Sequence, residues 1–176
     1  MADQKSSFEL FQNLKTSEIY NSVSRPIIIA DNLRTPENMG SVLRLAGNIG
    51  AQKTIFISDT AHQFKNYKIK KTASGAADKT NWKIISMDQL ENEIPADYEI
   101  ILLETTRQSS NIYEFNFPEK TAIVIGNEVN GICHELIELA NHQLYIPIPG
   151  PISSLNATHA LSIALFEWYR QMVKKS

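Results

Sequence analysis

The sequence predicts an α/β domain with a mostly parallel sheet and helices on both of its faces. Short apolar segments rich in isoleucine and valine alternate along the chain with segments of helical periodicity, which is the pattern of βαβ units. The 176 residues are 43% hydrophobic, enough for one globular domain with a substantial core. The sequence contains no internal repeat and no low-complexity tract, and it does not indicate a second large domain.

Six strands are predicted, because six short apolar runs are bounded by polar or turn-forming residues. They span residues 26–30, 53–58, 82–86, 99–103, 121–125 and 144–148. The last of them leads into a loop with three prolines, Pro147, Pro149 and Pro151, each of which fixes its own φ and lacks an N–H.

Helices are predicted from apolar residues spaced three and four apart. They span residues 8–20, 41–49, about 87–93, 133–140 and a long C-terminal segment from about residue 155. Residues 31–40 are predicted to form a loop around Pro36, and residues 60–78 a polar segment. We interpret residues 1–24 as a short helical arm and residues 25–176 as the main domain.

Composition limits the compartment and the class of partner. The single cysteine, Cys133, excludes an internal disulfide, suits a reducing cytoplasm and is expected to be buried. No apolar run approaches the roughly 18–20 residues that a membrane span needs. The first residues lack the apolar core of a signal peptide. We therefore expect a cytoplasmic protein with no membrane partner.

The charges are unevenly distributed along the chain. The formal net charge of −2 argues against a strongly basic nucleic-acid binder. Residues 53–83 nevertheless carry seven lysines against two aspartates, and residues 86–119 carry eight acids against one arginine. The lysine-rich stretch is either a site for a polyanion or simply a solvated surface.

Several familiar catalytic motifs are excluded. Gly126 and Gly131 have the spacing of a phosphate-binding loop, but Ile132 and Cys133 stand where Lys and Ser or Thr are required. The pair His134-Glu135 has no second histidine at zinc-binding spacing. No G-x-S-x-G or G-x-G-x-x-G motif is present. Hydrolase, NTPase and classical dinucleotide-binding functions are therefore disfavoured, and no metal site is expected.

Three polar loops remain, and each follows a predicted strand. They are residues 31–44, residues 125–131, and the proline loop that continues into Ser154-Leu155-Asn156. In a parallel sheet such loops emerge at the carboxyl ends of the strands, where ligands bind. A simpler interpretation of the third loop is a stiff turn that leads into a capped helix.

The three loops together resemble the three motifs of the SpoU-like (TrmH-like) branch of the SPOUT superfamily. Asn38-x-Gly40-x-x-x-Arg44 is similar to the first motif and Gly126-x-Glu128-x-x-Gly131 to the second. Ile146-Pro147 with Ser154-Leu155-Asn156 is similar to the third. The resemblance runs from about residue 27 to residue 168. Three differences, Ile148, Ala157-Thr158 and His159, remove no polar group that the family uses in catalysis.

This resemblance implies methylation of a ribose 2′-hydroxyl in tRNA or rRNA, with S-adenosyl-L-methionine as cofactor. It also implies a C-terminal deep trefoil knot that forms the cofactor pocket. A homodimer is implied too, because relatives complete the active site across the subunit interface. The implied cofactor-binding residues are Gly126, Asn127, Glu128, Gly131, Ile146, Pro147, Ile148, Ser154 and Leu155.

The implied catalytic residues are Arg44, Asn38, Glu128, Ser154 and Asn156. Because a guanidinium stays protonated, we expect Arg44 to clamp a phosphate and polarise the hydroxyl rather than to act as a base. Asn38 either orients the ribose or only forms a turn. Glu128 is expected either to hold Arg44 or Asn156 or to be only an exposed acidic residue of the loop. Ser154 and Asn156 either shape the ribose site or cap a helix.

Two other functions stay open at this point. One is an RNA-binding or assembly protein that has kept the fold and lost the chemistry. The other is a SPOUT enzyme that methylates a base. The sequence does not identify the RNA or the nucleotide. The expected RNA contacts are the helical arm, the lysine-rich stretch and the C-terminal Arg170, Lys174 and Lys175.

Overall fold

Seven strands form one sheet in the computed structural model, which describes residues 7–13, 15–58 and 66–175. The strands are β1 (Ile27–Asp31), β2 (Lys53–Ile57), β3 (Trp82–Ile85), β4 (Glu99–Leu103), β5 (Ser110–Asn111), β6 (Thr121–Ile125) and β7 (His142–Tyr145). Their order is β3-β2-β1-β6-β4-β7-β5, and every pairing among these strands is parallel. This confirms the predicted α/β class.

The late strands lie in the middle of the sheet rather than at its edge. Strand β6 is inserted between β1 and β4, and β7 between β4 and β5. The register places Ile29 of β1 opposite Ile55 of β2 and Val124 of β6. The carboxyl ends of β1, β6, β4 and β7 are therefore neighbours, and the loops that follow them share one end of the sheet.

The helices are α1 (Ser7–Asn13), α2 (Pro36–Ile49), α3 (Asn66–Thr72), α4 (His134–Leu139) and α5 (Ala157–Lys175). They cover both faces of the sheet, as predicted. Alternate residues of β1 point to opposite faces, so that Ile28 lies in the cluster with α2, α3 and α5, whereas Ile29 lies in the cluster with α4. None of the helices in the described residues is long and apolar enough to cross a membrane.

Helix α2 begins earlier than predicted, so the expected loop at residues 31–40 is wrong over its second half. Pro36 is the first helical residue, a position where its fixed φ and missing N–H cost nothing. Thr35 caps the helix by accepting the N–H of Asn38 at 3.1 Å. The helix ends at Gly50 as predicted, in the left-handed conformation with φ 68°.

The last strand is shifted from the predicted residues 144–148 to His142–Tyr145. Two polar residues, His142 and Gln143, pair with Ile101 and Leu102 of β4. His142 also bonds Glu99 through Nε2 at 2.9 Å. Prolines beyond Tyr145 lack the N–H that a further ladder bond needs. The two-residue strand β5 was not predicted, because two polar residues carry no apolar pattern.

The N-terminal region departs from the single predicted helix at residues 8–20. It forms α1 and then a 3₁₀ helix, Thr16–Asn21, which is preceded by Lys15 with φ 51°. Residues 1–6 and 14 and the side chain of Phe8 lie outside the described part. Ile19 and Val23 pack into the core. The boundary of the arm at residue 24 stays a prediction.

Helix α3 was missed inside the polar segment predicted at residues 60–78. Residues 59–65, with Lys65, lie outside the described part. Within α3 only Ile69 is fully buried, so the apolar signal that marks a helix is a single residue. The helix is held by Thr72, whose hydroxyl donates to the carbonyl of Pro36 at 2.7 Å.

Candidate functional site

The loops after β6, β4 and β7 meet the segment before α5 around one open pocket. Its volume is ≈ 540 Å³, within the roughly 300–1,000 Å³ of small-molecule sites. It is lined by residues 103–105, 125–129, 131, 144–146, 148, 153–157 and 160. The second and third sequence motifs therefore share a single cavity.

Most of the predicted cofactor-binding residues line this pocket. They are Gly126, Asn127, Glu128, Gly131, Ile146, Ile148, Ser154 and Leu155, together with Asn156 from the predicted catalytic set. Pro147 is exposed and is not among the lining residues, although both of its neighbours are. Alternate residues of an extended segment face opposite sides, which accounts for this difference. Asn38 and Arg44 lie outside the lining as well.

The loop from Gly126 to Gly131 is held closed by its own backbone. Asn127 and Gly131 exchange N–H···O bonds of 2.9 and 3.0 Å, and the side chain of Asn127 accepts the N–H groups of Val129 and Asn130. A Cβ on Gly126 would lie 2.4 Å from the carbonyl carbon of Gly131. Only glycine fits at position 126, and the loop presents a fixed backbone to the pocket.

Two polar contacts tie this loop to the end of β1. The amide of Asn127 donates to the carbonyl of Asn32 at 2.6 Å. The carboxylate of Asp31, 1% exposed, accepts the N–H of Cys133 at 2.7 Å. Burial raises the pKa of the Cys133 thiol to about 11. The first and second motifs are therefore joined, and Asp31, which the sequence did not single out, makes one of the joints.

Glu128 has different partners from those expected. Its carboxylate accepts the side-chain amide of Asn38 on one oxygen and the backbone N–H of Arg34, at 3.2 Å, on the other. The expectation that it holds Arg44 or Asn156 is wrong. A carboxylate that accepts two N–H groups is oriented for a specific geometry, so Glu128 fixes the start of α2 against the pocket rim.

Arg44 lies on the exposed side of α2, six residues beyond Asn38. Its Nη1 donates to the hydroxyl of Ser74 at 3.4 Å, and no carboxylate among the described residues pairs with it. The guanidinium is thus held by Ser74 without being neutralised. That arrangement suits contact with an anion that approaches from outside the pocket.

Asn156 caps α5, which is one of the two roles expected for it. Its Oδ1 accepts the backbone N–H of Thr158 at 2.9 Å and the hydroxyl of Thr158 at 2.6 Å. The side chain of Ser154 is exposed and bonds to none of the described residues. Of the third motif, Asn156 is committed to structure in this conformation, whereas the hydroxyl of Ser154 is available to a ligand.

Glu104 is a lining residue that the sequence reasoning missed. It follows β4 directly, and its carboxylate accepts the N–H of Thr105 at 3.0 Å and that of Ile132 at 3.3 Å. It therefore joins the end of β4 to the loop after β6. The sequence does contain a signal for Glu104, because it is an acidic residue at the carboxyl end of a buried strand. Polar residues in the same position marked the three motif loops.

The lining has a definite chemical character. Leu103, Ile125, Leu144, Ile146 and Leu155 supply apolar walls. Both charged lining side chains described, Glu104 and Glu128, are acidic. A pocket of this kind suits an aromatic base joined to a cationic group and disfavours a polyphosphate. The described residues hold no cluster of three or more His, Cys, Asp or Glu side chains placed to bind a metal.

Comparisons with known proteins agree with this architecture. The chain is 26% identical over 156 residues to the tRNA (guanosine(18)-2′-O)-methyltransferase of Aquifex aeolicus, covering 85% of this chain and 71% of that one. It is 27% identical over 151 residues to the 23S rRNA (uridine(2479)-2′-O)-methyltransferase of Streptomyces viridochromogenes, covering 83% of this chain and 53% of that one. The chain thus spans only about half of the second relative.

A solved structure gives the same result. The SpoU methyltransferase AviRb of Streptomyces viridochromogenes, in complex with the cofactor AdoMet, superposes with a TM-score of 0.72 at 26% identity, covering 90% of this chain and 64% of that one. The family model described as "SpoU rRNA Methylase family" matches residues 25–166. The chain belongs to the SpoU rRNA methylase family.

Proposed function

We propose that this protein binds S-adenosyl-L-methionine in the ≈ 540 Å³ pocket and methylates a ribose 2′-hydroxyl of structured RNA, tRNA or rRNA. The observation that carries the proposal is that the second and third motif loops share this one pocket and the first is bonded to the second. Two of them line it, and the first reaches it through the Asn38–Glu128 bond. The relatives named above are 2′-O-methyltransferases of tRNA and of 23S rRNA.

The cofactor's adenosine would lie against the backbone of the loop after β6 and the side chains of Ile146 and Leu155. Gly126 and Gly131 allow a close approach of the backbone, and Ile148 and Ser154 border the same space. Glu104 and Glu128 favour a positively charged ligand. When bound, the cofactor supplies an electrophilic methyl group and leaves as a neutral thioether, so its departure needs no acid.

The demanding part is the poorly acidic ribose hydroxyl. Arg44 clamps the adjacent phosphate and lowers the cost of the charge that develops on the oxygen. Asn38, fixed by Glu128, orients the ribose. Ser154 is free to donate to the same nucleotide. Positioning of the hydroxyl in line with the methyl group supplies a large part of the acceleration.

The protein is proposed to act as a cytoplasmic homodimer without a metal. Phe166 and Val173, two turns apart on α5, are 49% and 47% exposed, and Leu10 and Phe11 of α1 are 45% and 54% exposed. These apolar surfaces are suited to a two-fold interface. The trefoil knot belongs to the same proposal and is supported by the insertion of β6 and β7 between earlier strands.

Two measurements test the function. Calorimetry with S-adenosylmethionine and with its demethylated product should give binding that EDTA leaves unchanged. Maps of methylated nucleotides in tRNA and 23S rRNA, from cells with and without the gene, should differ at a ribose. Loss of a base methyl group would favour base methylation instead, and RNA binding without cofactor binding would favour a catalytically silent assembly protein.

A further inference from the structure

Helix α3 carries two lysines whose charge no carboxylate in the described residues neutralises. Lys68 and Lys71 are exposed and lie three residues apart, so they project from the same side of the helix. Tyr67, 61% exposed, lies four residues before Lys71 and shares that side. The opposite side is anchored in the core by Ile69.

Three other lysines of the lysine-rich stretch are paired with carboxylates. Lys53 and Lys83 both pair with Glu93, at 3.1 and 2.7 Å. Lys70 pairs with Asp78 at 2.7 Å. Among the described lysines of the stretch, Lys68, Lys71 and Lys79 have no carboxylate partner, and two of these three lie on α3.

Helix α3 is also fixed in position relative to Arg44. Thr72 donates to the carbonyl of Pro36, and a Cβ on Gly40 would lie 2.2 Å from the hydroxyl oxygen of Thr72. Such a close approach leaves no room for α3 to slide along α2. Just beyond α3, Ser74 accepts from Arg44. The lysine face and Arg44 are thus parts of one rigid surface.

We propose that this surface is where the RNA substrate docks, a proposal that rests on the proposed function. Lys68 and Lys71 contact backbone phosphates, and Tyr67 stacks on an unpaired base, so that the strand leads toward Arg44, which contacts Ser74 just beyond α3. The occupant is RNA because lysines flanking an exposed aromatic side chain match both the phosphates and the base faces of a single strand. A chain of net charge −2 needs such a local site to bind a polyanion.

The test is the salt dependence of RNA affinity, measured with total tRNA and with 23S rRNA from cells that lack the gene. Each lost phosphate contact lowers the slope of log K against log salt by about 0.7–0.9. The double variant Lys68→Ala/Lys71→Ala should therefore lose about 1.4–1.8 in slope. Its loss of affinity relative to the wild type should then be roughly fifteen- to thirtyfold larger at 0.15 M salt than at 1 M salt. Lys70→Ala, on the same helix but already paired, is the matched control and should change little.

The stacking contact has its own pair of variants. Tyr67→Ala should weaken RNA binding by about fivefold or more, whereas Tyr67→Phe, which keeps the ring, should bind like the wild type. Affinity for the demethylated cofactor should be unchanged in all these variants, because none of the substituted residues lines the pocket.

Two results would overturn the docking surface alone. One is a wild-type slope in the double variant, and the other is an equal loss in the Lys70→Ala control. In either case cofactor binding and methyl transfer by the wild type would leave the proposed function standing. If the wild type binds neither RNA at low salt and transfers no methyl group, both proposals fail.

Discussion

The substitution Gly126→Ala tests whether the pocket loop is as tightly closed as its geometry indicates. The new Cβ would lie 2.4 Å from the carbonyl carbon of Gly131, 2.7 Å from its oxygen and 2.7 Å from the nitrogen of Ile132. All three atoms belong to the backbone, so no side-chain rotation relieves the overlap. The loop has to open.

Opening of the loop lowers the free energy of unfolding through lost hydrogen bonds and overpacking. The two backbone bonds between Asn127 and Gly131 are lost, at about 1 kcal/mol each. Overpacking adds about 1–3 kcal/mol, and the stiffer unfolded chain offsets about 0.4–1 kcal/mol. The net loss is about 2–5 kcal/mol in the free energy of unfolding. For a chain of this size that corresponds to a fall of roughly 4–20 °C in Tm.

Urea and thermal unfolding of the wild type and Gly126→Ala measure this loss. Gly150→Ala is the matched control, because its added Cβ would meet nothing within 4 Å and its backbone is not left-handed. The control should change stability by under about 0.5 kcal/mol. If Gly126→Ala unfolds at the wild-type midpoint, the closed packing of Gly126 against Gly131 is refuted.

Three further predictions concern single side chains. Arg44→Ala and Arg44→Lys should each slow single-turnover methyl transfer by on the order of a hundred- to a thousandfold, since the lysine ammonium lacks the planar fork of a guanidinium. Calorimetry should show unchanged cofactor affinity in both variants. Methyl-transfer rates near that of the wild type would rule out a catalytic Arg44. Glu104→Ala leaves the N–H of Ile132 without its acceptor, so urea unfolding should show a loss of about 1–3 kcal/mol; an unchanged midpoint would show that this bond is not stabilising. Burial raises the pKa of the Cys133 thiol from 9.0 to about 11, which lowers the thiolate fraction at pH 8. Alkylation of Cys133 in the folded protein should therefore be on the order of a hundredfold slower than in urea, and it should accelerate as the pH rises toward 11. Equal alkylation rates in the two states would contradict a raised pKa.

The sequence by itself determined the fold class and the places where the site residues emerge. Strands β4 and β6 were predicted at their observed residues, 99–103 and 121–125, because a strand buried on both faces needs a continuous apolar run. Motif residues follow such strands, and a parallel sheet brings those loops to one end. Most of the lining of the pocket was therefore predictable from local pattern.

Elements with a weak local signal were decided by tertiary packing. Helix α3 has one fully buried apolar residue, Ile69, and it is held by a bond from Thr72 to Pro36. Strand β7 begins at polar residues because β4 supplies their ladder partners. In both cases the stabilising partner is distant in sequence, so a window of neighbouring residues does not contain it.

Partner choice within the site was also decided only by the tertiary structure. Glu128 was expected to hold Arg44 or Asn156, yet it accepts from Asn38, 90 residues away. Glu104 was not considered, yet its carboxylate joins the end of β4 to the loop after β6. The sequence states which residues carry hydrogen-bonding groups. Which donor meets which acceptor depends on strand order and register, and these are set by how the whole chain buries its apolar surface.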